Sequence, residues 1–398
     1  MKRAMGCLWA VIYRVVLFLI IVGGAFYMWK LFTDSRDDVY KKDQTAYEST
    51  ENRKSSKMPQ TYYFYEQLSE ERKQLYDEIY KGLKNHDSKI VIGETDSHIV
   101  DNVYQRVLMD HPEIFWNDGS YQSTTYRGLG SRMEISPGYL MTKSESETYQ
   151  DEIEQVADDW ISGVSDQASD YEKILYVYEK IIREVDYDAN AEHNQNIYSV
   201  FAKRRSVCAG YAKATQYLLQ KLGVFCTYVT GTAKTTGGRH AWNLVWCDGS
   251  YYYVDTTWGD PVFVGESGKN ADQIIYDFMC CSTEELTKTH TIDAKWEMPE
   301  CNSMEDNYYV RNGDYYTSYN QNEIWNKMKQ DIDEEQPETV IKFADPDLYA
   351  RYHLEIVDEL AKKGARRIAQ RYGIFNVSYQ YQDDEQTSKI IIHWNYRG

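Results

Sequence analysis

The chain has 398 residues, of which 42% are hydrophobic and 15% aromatic, so it can bury more than one apolar core and is not disordered throughout. Its formal net charge of −18, from 62 acidic against 44 basic side chains, is spread along the length, which argues against a nucleic-acid backbone as partner. Seven cysteines with no CxxC pair give no support to a disulfide framework or a structural zinc site.

Residues 1–32 hold a nearly apolar run from Leu8 to Trp29, broken only by Arg14 and preceded by Lys2 and Arg3. That length spans a bilayer, and the positive flank predicts a signal-anchor with a cytoplasmic amino terminus and an extracytoplasmic remainder at the cell membrane. Gly23 and Ala25 keep a cleavable signal peptide as the alternative, and Cys7 reads as a membrane-edge cysteine. Residues 33–60, charged and almost without aliphatics, predict a disordered tether.

An accessory region of helices and strands is expected over 61–165: a helix within 62–84 opened by Ser69 and Glu70, a second ending near His111-Pro112, short aromatic strands over 113–142, and a helix near 145–163. The core is expected over 166–299. After a helix near 169–186, Ser206 is a good N-cap, and Cys208, Ala212, Thr215, Leu218 and Leu222 follow helical spacing to a stop at Gly223. The period then changes to two. VFCTYVTG reads as a strand, TTGGR as a loop, and HAWNLVWC and YYYVDTT flank Asp248-Gly249, a strong two-residue hairpin signal. IIYDFMCCS is expected to continue the sheet. Beyond a boundary near Pro299, residues 300–398 read as a small α+β domain: a Tyr-rich hairpin (NYYVRNGDYYTSY), helices near 321–335 and 346–372, and strands FNVSYQYQ and SKIIIHW.

Three side chains in the core carry chemistry. Cys208 falls in the first turn of its helix, where the dipole and unpaired N–H groups favour a thiolate and can hold an oxyanion, while Ala209 and Gly210 leave room for a substrate. Pairing Cys247 with Ser250 across the turn puts His240 opposite Thr257 and Asp255 diagonal to His240 on one face, roughly 7 Å away. That distance lets a carboxylate reach an imidazole N–H. Trp242, Trp246, Tyr251 and Tyr253 read mainly as sheet packing, and His98, His111, His193 and His290 as surface or structural residues. Cys226 and Cys247, on neighbouring strands, read as buried free thiols with a disulfide as the alternative; Cys280 and Cys281 read as core.

At VCAGYAKA, HAWN and YYYVDTTWGDP the chain resembles the transglutaminase-like superfamily, papain-related cysteine enzymes, and YEQLSEERKQLYDEIYKGL and DHPEIFW resemble the amino-terminal part of its bacterial exported members. The resemblance covers about residues 60–300. It implies an α+β fold, with the Cys-bearing helix packed on an antiparallel sheet, and a Cys208–His240–Asp255 triad that acts on amide bonds through an acyl-thioester. A peptidase or amidase acting on cell-surface or cell-wall peptides is then expected. An amide-forming transglutaminase and a catalytically weak surface scaffold remain alternatives, and calcium dependence stays open. No cofactor and no metal are expected. Arylamine acetyltransferases share the triad, but no Arg-Gly-Gly segment precedes Cys208. Gln195, thirteen residues before Cys208, is a candidate second oxyanion donor, with a solvated loop glutamine as the competing role. Trp258 is a candidate groove residue, and Tyr211 is a candidate substrate contact that suits packing better than reaction.

Overall fold

The structure, a computed structural model, describes residues 62–128, 130–260, 273–375 and 377–396. The expected membrane anchor and tether lie outside the described residues; among those described, no helix is long and apolar enough to cross a membrane. The fold is mixed α/β, and it divides into two compact units, one of Tyr62–Leu108 with Gly119–Gly138, the other of Met109–Asp118 with Tyr139 onward.

The first unit contains α1 (Tyr63–Glu66), α2 (Glu70–Lys84), β1 (Ile90–Ile92), most of α3 (Ser97–Asp110), most of β2 (Asn117–Tyr126) and most of β3 (Arg132–Tyr139). Its strands form a sheet in the order β1-β3-β2. Leu75, Ile79 and Leu83 recur at helical spacing along α2 and are buried, as are Ile90, Ile92, Met133 and Ile135 on the strands.

In the second unit, α4 (Lys143–Ile161) and α5 (Asp170–Glu184) each start with a capping box, Thr142 with Glu145 and Ser169 with Glu172. Then come β4 (Asp186–Tyr187), α6 (Ile197–Phe201), β5 (Arg205–Ser206) and α7 (Cys208–Lys221), followed by β6 (Cys226–Ala233), β7 (Arg239–Cys247) and β8 (Ser250–Val254). The Asp248-Gly249 hairpin forms in the expected register, Cys247 against Ser250, with both turn residues at positive φ. Helix α7 lies along this sheet: Asn243 Nδ2 donates to Ala212 O at 2.9 Å, and Gln220 Nε2 to Cys226 O at 3.3 Å.

After α8 (Thr283–Thr287), β9 (His290–Ile292) completes an antiparallel sheet of order β8-β7-β6-β9. This corrects the expectation for IIYDFMCCS. That run makes a single bridge, Cys281 to Tyr253, because Cys280 sits at φ 54° and breaks the extended path. Strand β9 takes the vacant edge beside Gly231, where a Cβ would stand 2.1 Å from Thr291 O and 2.5 Å from the Trp242 ring. Only glycine permits that approach.

The remaining chain forms α9 (Tyr308–Arg311), β10 (Tyr315–Tyr316), α10 (Gln321–Asp333), β11 (Glu338–Phe343), α11 (Pro346–Leu354), a π-helical stretch (Glu355–Leu360), α12 (Ala361–Tyr372), β12 (Tyr379–Asp384) and β13 (Lys389–Trp394). The sheet order is β10-β11-β13-β12, with β10 parallel to β11. The expected Tyr-rich hairpin is therefore absent. Asn307 caps α9 by accepting from Tyr309 N–H at 3.1 Å, and Gly313 at φ 72° turns the chain into β10. Ile324, Met328, Ile341, Phe343, Ile368 and Ile390 form this part's core.

Candidate active site

Cys208 opens α7 at a helix end that no side chain caps: Val207 occupies the N-cap, and Ser206 is turned away. The Ser206 hydroxyl, expected as the cap, donates instead to Asn194 O at 2.9 Å and stands 2.7 Å from Ser199 Oγ. The first-turn N–H groups are thus left without a side-chain acceptor, the condition under which a helix start receives an anion. Gly210 does not leave room for substrate as expected. A Cβ there would meet Ser206 Oγ at 1.9 Å and the carbonyls of Asn194 and Asn196 at 3.1 Å, so its bareness seats the 194–196 segment against the helix. Cys208 is half-buried, whereas the other five described cysteines are buried; all six are free. Cys226 lies opposite Val245 in the ladder, not opposite Cys247.

His240 enters β7 one residue after its start, opposite Gly231. Asp255 follows β8 directly, and its Oδ2 lies 2.6 Å from His240 Nε2. An ionised carboxylate only accepts, so Nε2 donates to Asp255 and Nδ1 is the ring atom left for Cys208, whose sulfur acts on His240 to favour its charged form. The other carboxylate oxygen accepts from the backbone N–H of Thr257 at 2.9 Å and of Trp258 at 3.0 Å. Burial works against charge on His240, but the Asp255 carboxylate, with Cys208, outweighs it and holds the imidazole up at about 10. Burial likewise opposes the Asp255 charge, yet the His240 and His290 rings hold its carboxyl well below the usual carboxylate range. The pair is therefore an imidazolium held by a carboxylate at neutral pH.

His290, read from the sequence as surface or structural, is structural and not at the surface. It is fully buried, its Nε2 lies 3.2 Å from Asp255 Oδ2, and its Nδ1 lies 2.7 Å from Thr289 Oγ1. Only the short alternation of THTI could have flagged it, and a three-residue strand is below the length at which period two is informative. His240, Asp255 and His290 offer ligand atoms within 4.8 Å of one another, as do Cys247, Asp248 and Asp306. In the first trio a cation would have to displace both imidazole hydrogen bonds to Asp255.

The three auxiliary residues separate. Gln195 sits on the segment seated against α7, but it is exposed and its amide donates to Asn194 Oδ1 at 3.1 Å. Tyr211 is not a substrate residue: it is fully buried, and its hydroxyl donates to Val185 O at 2.6 Å and stands 3.0 Å from Asp260 Oδ2. Helical geometry explains this, because Tyr211 stands one turn into α7 on the side that faces the protein. Trp258 is half-buried, its ring centroid 6.1 Å from His240 and 4.7 Å from His290. It borders a cavity of about 880 Å³ that is also lined by Phe278, Thr289, Asp314, Glu334, Asp383 and Asp384.

Residues 155–256 match the transglutaminase-like superfamily. This transglutaminase-like segment contains Cys208, His240 and Asp255 and stops short of His290. Kyphoscoliosis peptidase of Mus musculus is 25% identical over 136 residues, 30% of this chain and 21% of the mouse protein. The Homo sapiens protein of that name is 26% identical over 118 residues, 26% of this chain and 18% of its own length. The matched stretch thus spans about a fifth of the curated relatives. Among solved structures, a crystal structure of a TGase aligns at 14% identity with a TM-score of 0.27, covering 37% of this chain and 46% of that one.

Proposed function

We propose that the transglutaminase-like core is a cysteine enzyme that cleaves amide or peptide bonds through an acyl-thioester, with Cys208 as nucleophile. The observation that carries this reading is that His240 lies 2.6 Å from the buried Asp255 carboxylate and is held charged by it together with Cys208, which opens α7. The thiol proton already rests on His240 Nδ1, so the Cys208 thiolate attacks the carbonyl carbon directly, and the carbonyl electrons move onto oxygen against the Cys208 N–H. The imidazolium then protonates the leaving amine as the C–N bond breaks, which leaves the acyl group on sulfur. Water, deprotonated by His240, attacks the thioester and releases the acid and the thiolate. Asp255 holds the ring in the required tautomer throughout.

The apolar run Leu8–Trp29 supports a tethered enzyme at the outer membrane face, with cell-surface or cell-wall peptides as substrates. One observation favours transfer to an amine as a second reading: the cavity beside Trp258 is rich in carboxylates, which attract a cationic acceptor. The full chain and its Cys208→Ala variant, incubated with isolated cell envelopes with and without a biotinylated primary amine, test both by mass spectrometry of released and newly joined peptides. Peptides released by the wild type alone support hydrolysis; biotin on acyl donors supports transfer. A variant as active as wild type, with a wild-type thiol that resists electrophiles, overturns the enzyme reading. A stable partner captured equally by both proteins would then identify a binding module.

A further inference from the structure

Asp255 accepts four hydrogen bonds, two at each oxygen, and His290 supplies one of the pair at Oδ2. The Thr289 hydroxyl has one proton and two acceptors in reach, Leu286 O at 3.3 Å and His290 Nδ1 at 2.7 Å. The Asp255 carboxylate only accepts, so His290 donates to it from Nε2, while its Nδ1 meets the Thr289 hydroxyl. The ring is fixed there by its slot, with Trp258, Trp242 and Phe278 at centroid distances of 4.7, 5.0 and 5.2 Å. Strand β9 delivers it, and β9 reaches its place because position 231 has no side chain.

We infer that His290 is a positioning residue that divides the Asp255 carboxylate with His240 and so limits how firmly His240 keeps its proton. The inference rests on the cysteine-enzyme reading of the site. A carboxylate oxygen that already accepts one N–H has part of its charge dispersed, and its hold on a second imidazole weakens accordingly. The balance matters for turnover. His240 must keep the thiol proton while sulfur attacks and then surrender it to the leaving amine, and an undivided Asp255 favours the first step at the cost of the second. Among the described residues, the titratable groups facing His290 are Asp255 and His240. Behind Asp255 lie the Tyr178 hydroxyl and the Cys281 thiol, both kept neutral by burial. Further out, Arg239 is paired with Asp293, and Glu285 with Lys288 and Lys342.

The test reads the Cys208–His240 pair without a substrate. Iodoacetate carries a negative charge, so its reaction with Cys208 slows as the neighbouring imidazolium loses its proton, and the alkaline limb of the rate profile reports His240. Alkylation of the full chain is followed by mass of the Cys208 peptide from about pH 5 to about pH 11. His290→Ala should move the alkaline limb upward by about half to one pH unit, and His290→Leu should do the same while refilling the aromatic slot if alanine destabilises the fold. His290→Gln, whose amide donates from a similar position, should stay within about 0.2 pH unit of wild type. An unmoved or lowered limb in the Ala and Leu variants overturns the inference, as does a Gln variant that shifts as far as Ala. A wild-type Cys208 alkylated no faster than the buried cysteines overturns the enzyme reading itself, and this inference with it.

Discussion

Asp255 has no acceptor site to spare, and each of its four donors has a different consequence for the imidazole beside it. The two backbone N–H groups fix Oδ1, so in Asp255→Asn the amide oxygen stays on them and the NH2 turns toward both histidines. His240 then has to accept at Nε2 and carry its proton at Nδ1, where it cannot take one from Cys208. We expect a loss of about 10³- to 10⁴-fold in kcat with little change in KM, measured on a peptide identified from the envelope digest; a loss below tenfold would contradict the assigned tautomer. The same pair sets a pH dependence of stability. His240 has a raised folded pKa of about 10, so its contribution is complete below its unfolded value near 6.5 and fades as pH rises toward 10. Asp255, with a lowered folded pKa, contributes above about 4 and loses its share as pH falls below that. Urea melts should therefore show wild type exceeding Asp255→Asn by a few kcal/mol, roughly, near pH 5.5 and by distinctly less near pH 10.5. The three central residues were legible because a two-residue Asp-Gly turn fixes the register that brings His240 and Asp255 together. His290 was not, since nothing local pairs it with Asp255, which stands 35 residues earlier.

At the scale of elements, two bare positions do what the hydrophobic pattern could not announce. Gly210 admits the 194–196 segment against the first turn of α7, and Gly231 admits β9 against β6. In Gly231→Ala the new Cβ would meet a backbone carbonyl at 2.1 Å, which cannot rotate aside, so β9 and its histidine must shift. A destabilisation of about 1–3 kcal/mol is expected in urea melts, together with a raised alkaline limb for Cys208 alkylation like that of His290→Ala. A stable protein with an unchanged profile would show that β9 does not set the charge on Asp255. The strands β6 to β8 were readable from their alternation and turn residues. The 274–282 run was misread for a physical reason: its apolar letters satisfy a strand pattern, but Cys280 is left-handed and Asp277 is drawn to two lysines elsewhere in the fold. The Tyr-rich segment failed similarly, since tyrosine spacing does not reveal a capping Asn307.

Across the whole second unit, the sheet of β6 to β9 and the carboxy-terminal sheet are joined by charge as well as by apolar packing. Asp277 is buried between Lys342 of β11 and Lys389 of β13; the Lys342 Nζ contact is 2.8 Å. Burial opposes all this charge, but the two ammonium groups hold the Asp277 carboxyl far below its ordinary range. Asp277 precedes Phe278, whose carbonyl accepts the Asp255 N–H at 3.1 Å and whose ring packs on His290. The ionic cluster is therefore one residue from a hydrogen-bond partner of Asp255. Removing only the acid, as in Asp277→Ala, strips Lys389 of its carboxylate and leaves Lys342 with Glu285 alone, at 3.5 Å, and should cost about 3–5 kcal/mol in denaturant melts. Replacing the cluster with apolar side chains, Asp277→Leu with Lys342→Met and Lys389→Met, should recover most of that stability, because the expense lies in the stranded charge and not in the missing bond. If Phe278 transmits the position of Asp277 to Asp255, the single variant should also alkylate Cys208 more slowly, and the triple variant should return toward wild type. A single variant as stable as wild type would mean that water reaches the lysines, and equal alkylation rates in all three proteins would uncouple the carboxy-terminal sheet from the site.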